Sequence, residues 1–237
     1  MPKVPPIFSS FLSVNSPYYQ NNKQSDLSQI SSERGSSCDL SPFKNKVVRS
    51  ALKELADVKF LSEDISYLNS LGAKVAFLSG KEVVDFIINE NVRIEFGKTS
   101  SKDAFAQYNY PDKVILINNR YSNPKNHADI LAISEAVLHE AGHAKDKDTS
   151  NSLQEEIDNL ALNVLAHNFY SKKYPDVFLL SNSLLVKDGV ELYSKLFYDN
   201  DPKLSGLVNR LDKKYGFLPE GDYLHPPSEL AKRVKVK

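Results

Sequence analysis

The stretch from Ser134 to His143 reads Ser-Glu-Ala-Val-Leu-His-Glu-Ala-Gly-His and contains the pattern His-Glu-x-x-His. It lies within residues 126–145, whose apolar positions recur at helical spacing and predict a helix. Residues four positions apart share one helix face, so the imidazoles of His139 and His143 point the same way, about one turn apart. Two such rings can bind one zinc ion at about 2.0–2.1 Å, and we predict both as metal ligands.

Glu140 follows the first histidine of the pattern and projects beside the predicted metal. From there its carboxylate can take a proton from a metal-bound water, whose pKa zinc lowers toward about 7. It can later donate that proton to a leaving amine. We therefore predict zinc-dependent peptide-bond hydrolysis by metal-bound hydroxide, with Glu140 as general base. The alternative is a helix whose histidines are merely packed or solvated.

A catalytic zinc site needs a third protein ligand and an open position. The next segment, 152–172, predicts a helix with Glu155 and Glu156 in its first turn. The apolar stripe of this helix places Glu156 at its edge and Glu155 nearly opposite its centre. We therefore predict Glu156 as the third ligand and Glu155 on a solvated face, with Glu155 or another residue as the alternative ligand.

The remaining histidines give weaker candidates. His225 and Tyr223 lie in the late segment 223–227, which reads Tyr-Leu-His-Pro-Pro. A His or Tyr from such a loop can stabilise the oxyanion that forms at a peptide carbonyl, so we predict a catalytic role for either residue. The alternative is a proline-rich turn that anchors the C-terminus. His167 shares the helix edge of Glu156 and is predicted to be a packed boundary residue, with a fourth polar group near the metal as the alternative.

The two motifs together resemble those of the zincin metallopeptidases, and more narrowly the gluzincin branch, in which the third ligand is a glutamate on the next helix. Residues 156–161, Glu-Ile-Asp-Asn-Leu-Ala, are similar to the second motif of the ImmA/IrrE-like group, roughly Glu-Ala-Asn-x-Phe-Ala. The resemblance implies Zn²⁺ held by His139, His143 and Glu156, with Glu140 as the catalytic base.

The resemblance also implies a zincin-like fold and a peptide or protein substrate. In zincins an edge strand lies over the cleft before the metal helix, and a substrate peptide pairs with such an edge through main-chain hydrogen bonds. Residues 114–118 or 104–109 would supply that edge here. A plain structural hairpin is the alternative interpretation of these two segments.

Outward from the motif, the sequence predicts an α+β fold with a small mixed or antiparallel sheet and a hairpin packed on several helices. Strands cluster early and helices late, which disfavours a doubly wound sheet. Predicted helices cover residues 44–57, 62–72, 80–90, 126–145, 152–172, 182–198 and 201–215, with Ser62 as a cap. Predicted strands cover residues 73–78, 92–96, 104–109 and 114–118, the last two joined by a turn at 110–113.

The composition of the 237-residue chain excludes several classes of protein. Lys and Arg together number 30, as do Asp and Glu, so the net charge is zero and we predict no nucleic-acid partner. The single cysteine, Cys38, excludes a disulfide framework and favours a reducing, cytoplasmic compartment. No apolar run approaches the roughly 18 residues of a membrane span, and residues 1–16 lack the apolar centre of a secretory signal.

Composition also divides the chain. Residues 1–42 are rich in Ser, Asn, Gln and Pro, which predicts a disordered low-complexity tail. Residues 43–237 form the predicted metallopeptidase-like domain. We interpret it as an intracellular regulatory or processing protease. The alternatives are a secreted effector or toxin peptidase, exported by a non-classical route, and a non-catalytic zinc-binding interaction domain. The sequence predicts no oligomeric state.

Overall fold

The computed structural model of the protein describes residues 38–102, 104–180, 205–222 and 224–234, all within one compact unit, Ser36–Lys237. The described residues form eight helices and three strands, which confirms the predicted α+β class. The helices are α1 (Lys46–Ala56), α2 (Ser62–Ser70), α3 (Gly80–Asn89), α4 (His127–Asp146), α5 (Leu153–Lys173), α6 (Pro175–Leu180), α7 (Ser205–Tyr215) and α8 (Glu229–Arg233). The strands are β1 (Arg93–Gly97), β2 (Ala106–Asn109) and β3 (Val114–Asn118).

The three strands form a small mixed sheet in the order β1–β3–β2. β3 carries an apolar run and pairs in parallel with β1 and antiparallel with β2, so that Ile115 lies opposite both Ile94 and Tyr108. The predicted hairpin joins β2 to β3. Because β3 has a partner on both sides, the expectation that residues 114–118 supply an open edge is wrong. β2 is the edge strand of the hairpin.

Residues 73–78, predicted as a strand, have no regular secondary structure. An isolated β-bridge follows them at Ser79. Ala73 and Phe77 are buried, as the apolar pattern predicts. The main chain of this segment forms hydrogen bonds with side chains and not with a neighbouring strand. Lys74 N–H donates to Asp158 (2.7 Å), and Leu78 N–H donates to Glu82 (2.7 Å). The carbonyl of Ala76 accepts from Lys145 (2.6 Å). A local apolar pattern predicts burial, but it does not show which groups satisfy the backbone.

Helix α5 lies between two apolar cores, and every residue from Leu153 to His167 is buried. One core contains Leu162, Ala166 and Tyr170 together with residues of α1, α3, α4 and the sheet. The other contains Ile157 and Ala161 together with residues of α2, α7 and α8. Burial on all sides explains why this helix lacks the single solvated face that its sequence predicts.

Helices α4 and α5 approach each other closely at Gly142. A Cβ atom at this position would lie 1.9 Å from Oδ1 of Asn159 on α5, far inside van der Waals contact. Only a residue without a side chain therefore fits at this contact. The contact brings the His-Glu-x-x-His turn of α4 against the first turns of α5.

We expect Gly142→Ala to lower the free energy of unfolding by about 1–3 kcal/mol, because the added methyl group overpacks the contact between α4 and α5. The opposite sign would follow from helix propensity alone, which favours Ala by about 1 kcal/mol. Denaturant unfolding of the full chain measures the difference. Gly221→Ala is the matched control, since no atom lies within 4 Å of its added Cβ. A stabilised Gly142→Ala variant would contradict the close contact.

Several boundaries differ from those predicted. Helix α2 has Leu61 at its N-cap, with no side-chain bond, so the predicted cap at Ser62 is wrong. The short helices α6 and α8 have no counterpart in the sequence analysis. The predicted helix at 182–198 and the predicted helix start at 201 lie outside the described residues, as does the predicted tail up to residue 37. Cys38 and Leu40, assigned to that tail, pack against the core.

None of the described helices has the length and apolar character that crossing a membrane requires.

Candidate metal centre

Helix α4 presents the two histidines of the motif side by side, and α5 places Glu156 opposite them. The Nε2 atoms of His139 and His143 lie 3.3 Å apart. Each lies 3.5 Å from a different carboxylate oxygen of Glu156. A tetrahedral ion with bonds of about 2.0–2.1 Å separates its ligand atoms by ~3.3 Å. The three side chains therefore have the spacing that a zinc ion requires.

The outer nitrogens of both imidazoles face hydrogen-bond acceptors. Nδ1 of His139 lies 2.8 Å from Oδ1 of Asn163, and Nδ1 of His143 contacts the carboxylate of Glu155. The amide nitrogen of Asn163 donates to the carbonyl of Glu135 (2.7 Å), which fixes its oxygen toward the histidine. Each Nδ1 can therefore donate to its own acceptor, and both Nε2 atoms face a common point, as in metal sites with oriented ligands.

Glu155 is buried, with 8% of its side chain exposed, so the prediction that it lies on a solvated face is wrong. Its carboxylate forms a capping box with Ser152 at the start of α5 and also contacts His143. The prediction assumed one apolar stripe on this helix, whereas α5 is covered on all sides. Glu156, one residue later, faces both Nε2 atoms, and Glu155 faces an outer nitrogen.

Glu140 lies beside these three candidate ligands and is 8% exposed. Burial raises the pKa of its carboxyl group above the usual value, and the nearby His143 and His139 oppose that rise. The backbone N–H of Tyr108 in β2 donates to this carboxylate. Glu140, the general base predicted from the sequence, therefore lies between α4 and the edge strand β2.

The charges of the cluster are strongly coupled. Burial raises the pKa of Glu156, but its hydrogen bonds with His139 and His143 outweigh burial and hold it well below the usual range. Burial lowers the pKa of His143, but its contacts with Glu155 and Glu156 raise it well above the usual value. Buried ionised groups with this arrangement are typical of functional sites.

The structure brings neither His225 nor His167 to the three ligands. Nε2 of His225 lies 2.5 Å from Asp158 and 3.5 Å from Asp222. These contacts do not support the predicted oxyanion role of His225, which stays a prediction. Tyr223, the alternative for that role, lies outside the described residues.

His167 is buried, as predicted, and its Nδ1 lies 3.4 Å from Glu135. One further residue of the site, Asn163, had a sequence signal, since it lies seven positions after Glu156 on the same helix edge. Asp158 lies outside this group of side chains and is also buried, and burial raises its pKa to about 6.

We expect Asn163→Ala to weaken zinc binding by about 10–100-fold, because the imidazole of His139 loses the acceptor that orients it. A competition titration against a chromogenic chelator measures the affinity. Asn168→Ala, on the same helix and half-buried, is the control and should bind zinc as the wild type does. An unchanged affinity in Asn163→Ala would show that His139 needs no such partner.

Comparison with known proteins gives no relative: no family model, no curated protein and no solved structure matches the chain. The resemblance to zincin metallopeptidases therefore stays a prediction based on two motifs.

Proposed function

We propose that this chain is a zinc-dependent peptidase in which His139, His143 and Glu156 hold the metal. The observation that carries the proposal is the close approach of three donor groups: the two Nε2 atoms lie 3.3 Å apart, and each lies 3.5 Å from a different carboxylate oxygen of Glu156. Within the described residues this group of potential ligands has three members. Three protein ligands leave a coordination position open, which is typical of catalytic zinc sites, whereas structural sites have four.

A zinc ion at this position supplies Lewis acidity and lowers the pKa of a bound water. The chain itself supplies the proton acceptor. Glu140 is buried beside the ligands, and burial raises the pKa of its carboxyl group, which makes it a stronger proton acceptor than an exposed glutamate. The N–H of Tyr108 fixes one side of this carboxylate, so that it faces the substrate in one orientation.

The edge strand β2 supplies a binding surface for a peptide next to Glu140. Because the carbonyl of Phe105 accepts from Asn118 N–H (2.9 Å), the alternate residues Ala106 and Tyr108 direct their main-chain groups away from β3. We place an extended substrate along this outward edge, with its scissile bond beside Glu140. The proposed substrate class is therefore an unfolded or extended segment of a peptide or protein.

The proposed cellular role is regulatory or processing proteolysis in the cytoplasm. Its support is the single cysteine, which is a free thiol in the structure. Secretion as an effector or toxin is the competing proposal. Export of the full chain, compared with a chain lacking residues 1–42, separates the two proposals.

The test pairs metal content with cleavage. The full chain, purified and freed of metal by a chelator, is incubated with a peptide library or an unfolded protein, with and without added zinc. We expect cleavage only with zinc. The double variant His139→Gln, His143→Gln should lose both the cleavage and one equivalent of bound zinc. Zinc binding that depends on these histidines without cleavage of any substrate would replace the peptidase with a non-catalytic zinc-binding domain.

A further inference from the structure

A second group of potential metal ligands lies elsewhere on α5. One donor atom from each of Asp158, Asp222 and His225 lies within 4.8 Å of the other two. Asp158 follows Glu156 by two residues, so the two side chains leave the helix about 200° apart. The second group is therefore distinct from the candidate metal centre, and it joins α5 to the loop that precedes α8.

Each of the three side chains uses one polar atom for a contact with a neighbouring polar group and directs its other polar atom to the shared point. Asp158 accepts through Oδ1 from the N–H of Lys74 (2.7 Å) and the amide of Gln154 (2.8 Å). Asp222 accepts through Oδ1 from Leu224 N–H (2.7 Å). Nδ1 of His225 lies 3.1 Å from the carbonyl of Pro226. Two Oδ2 atoms and one Nε2 atom are thereby oriented toward one another, and such oriented donors are typical of metal ligands.

The charge balance of this group favours a bound cation. Exposed fractions of the side chains are 10% for Asp158, 2% for Asp222 and 13% for His225. Within the part of the chain that the structure describes, both carboxylates form their ion pairs with His225. Two largely buried carboxylates thus face a single imidazole nitrogen, and burying such charge is costly without a compensating cation.

The distances show what binding would require. Nε2 of His225 lies 3.5 Å from Asp222 Oδ2, close to the ~3.3 Å that separates two ligands of one tetrahedral ion. The same nitrogen lies 2.5 Å from Asp158 Oδ2, which is a hydrogen bond. A metal ion would replace that proton and widen this pair by about 0.8 Å. Two carboxylate oxygens with one imidazole suit Zn²⁺ or Mn²⁺ better than Ca²⁺, which prefers oxygen ligands alone.

We propose that Asp158, Asp222 and His225 form a second divalent-cation site, which takes Zn²⁺ or Mn²⁺ and ties Asp222 and His225 to α5. Because α5 also carries Glu155 and Glu156, this ion stabilises the helix that supplies the third ligand of the first centre. The second site does not depend on peptidase activity, and its test measures binding alone.

The experiment uses the full chain with the double substitution His139→Gln, His143→Gln, which removes the first centre. After removal of metal, equilibrium dialysis against Zn²⁺ or Mn²⁺ counts the ions bound. We expect one equivalent of one of these metals to remain, and an upward shift of the unfolding temperature when it binds. Adding Asp222→Asn, which keeps the acceptor for Leu224 N–H, should abolish both the bound ion and the shift. His225→Gln should do the same.

The unsubstituted chain gives an independent count if either variant fails to fold. With zinc and manganese both supplied, we expect two bound equivalents of metal in total in the wild type, and one in the single variant Asp222→Asn, whose first centre is intact. One equivalent of bound metal in both proteins would overturn the second site. The hydrogen bond between His225 and Asp158 would then be only a structural contact with α5. Retention of one equivalent by the triple variant would overturn it as well, since the ion would then lie elsewhere.

Discussion

Glu140→Gln is expected to slow peptide hydrolysis by about 10²–10⁴-fold, the usual contribution of a general base, while zinc binding stays at the wild-type level. The substitution preserves the size of the side chain and an oxygen that accepts from the N–H of Tyr108. It removes only the capacity to accept and return a proton. Because the carboxylate faces the three ligands without belonging to them, metal affinity and activity should separate in this variant.

Single-turnover cleavage of a peptide, with zinc content measured on the same sample, tests this expectation. Glu63→Gln, at an exposed position in the first turn of α2, is the control and should cleave as the wild type does. Equal cleavage by Glu140→Gln and wild type would remove the base from its role, even if zinc remained essential. Loss of both zinc and cleavage would instead assign Glu140 to the metal ligands.

The local spacing of residues was enough to predict the pair of histidines and the helix that carries Glu156. His139 and His143 are four positions apart, and helix geometry alone places their rings on one face. The edge position of Glu156 follows from the same argument. The role of Glu155 does not, because a helical wheel with one apolar stripe assumes that one face meets solvent. The two cores on either side of α5 arise from tertiary packing, which the sequence of α5 alone does not predict.

The pairing of the strands in the sheet was also beyond prediction from local sequence. The strands 93–97 and 114–118 were predicted within a residue of their observed bounds, yet their parallel pairing was not, since strand propensity says nothing about partners. Residues 73–78 were predicted as a strand because they are apolar. Their backbone instead bonds Asp158, Lys145 and Glu82, which come from distant parts of the chain or from the following helix. Burial was predictable at these positions, and hydrogen-bond partners were not.

The adjacent carboxylates of α5 allow a sharper test of the site than either histidine does. Glu156→Gln should weaken zinc binding on the order of 10³-fold, about 4 kcal/mol, because the metal loses a charged ligand that faces both Nε2 atoms. Glu155→Gln should weaken it only by about 10–100-fold, since the new amide oxygen still accepts from Nδ1 of His143. The two variants differ by one position and by the same chemical change, so each is the control for the other.

Competition titrations with zinc on both variants, with the helix content checked by circular dichroism, decide between the two carboxylates. Glu155 also caps α5 together with Ser152, so some loss of stability is expected in Glu155→Gln without a large loss of metal. If instead Glu155→Gln showed the greater loss of affinity, the ligand would be Glu155, and the group of His139, His143 and Glu156 would not be the metal site. Equal small losses in both would leave the two histidines without a third ligand, and a catalytic zinc site requires one.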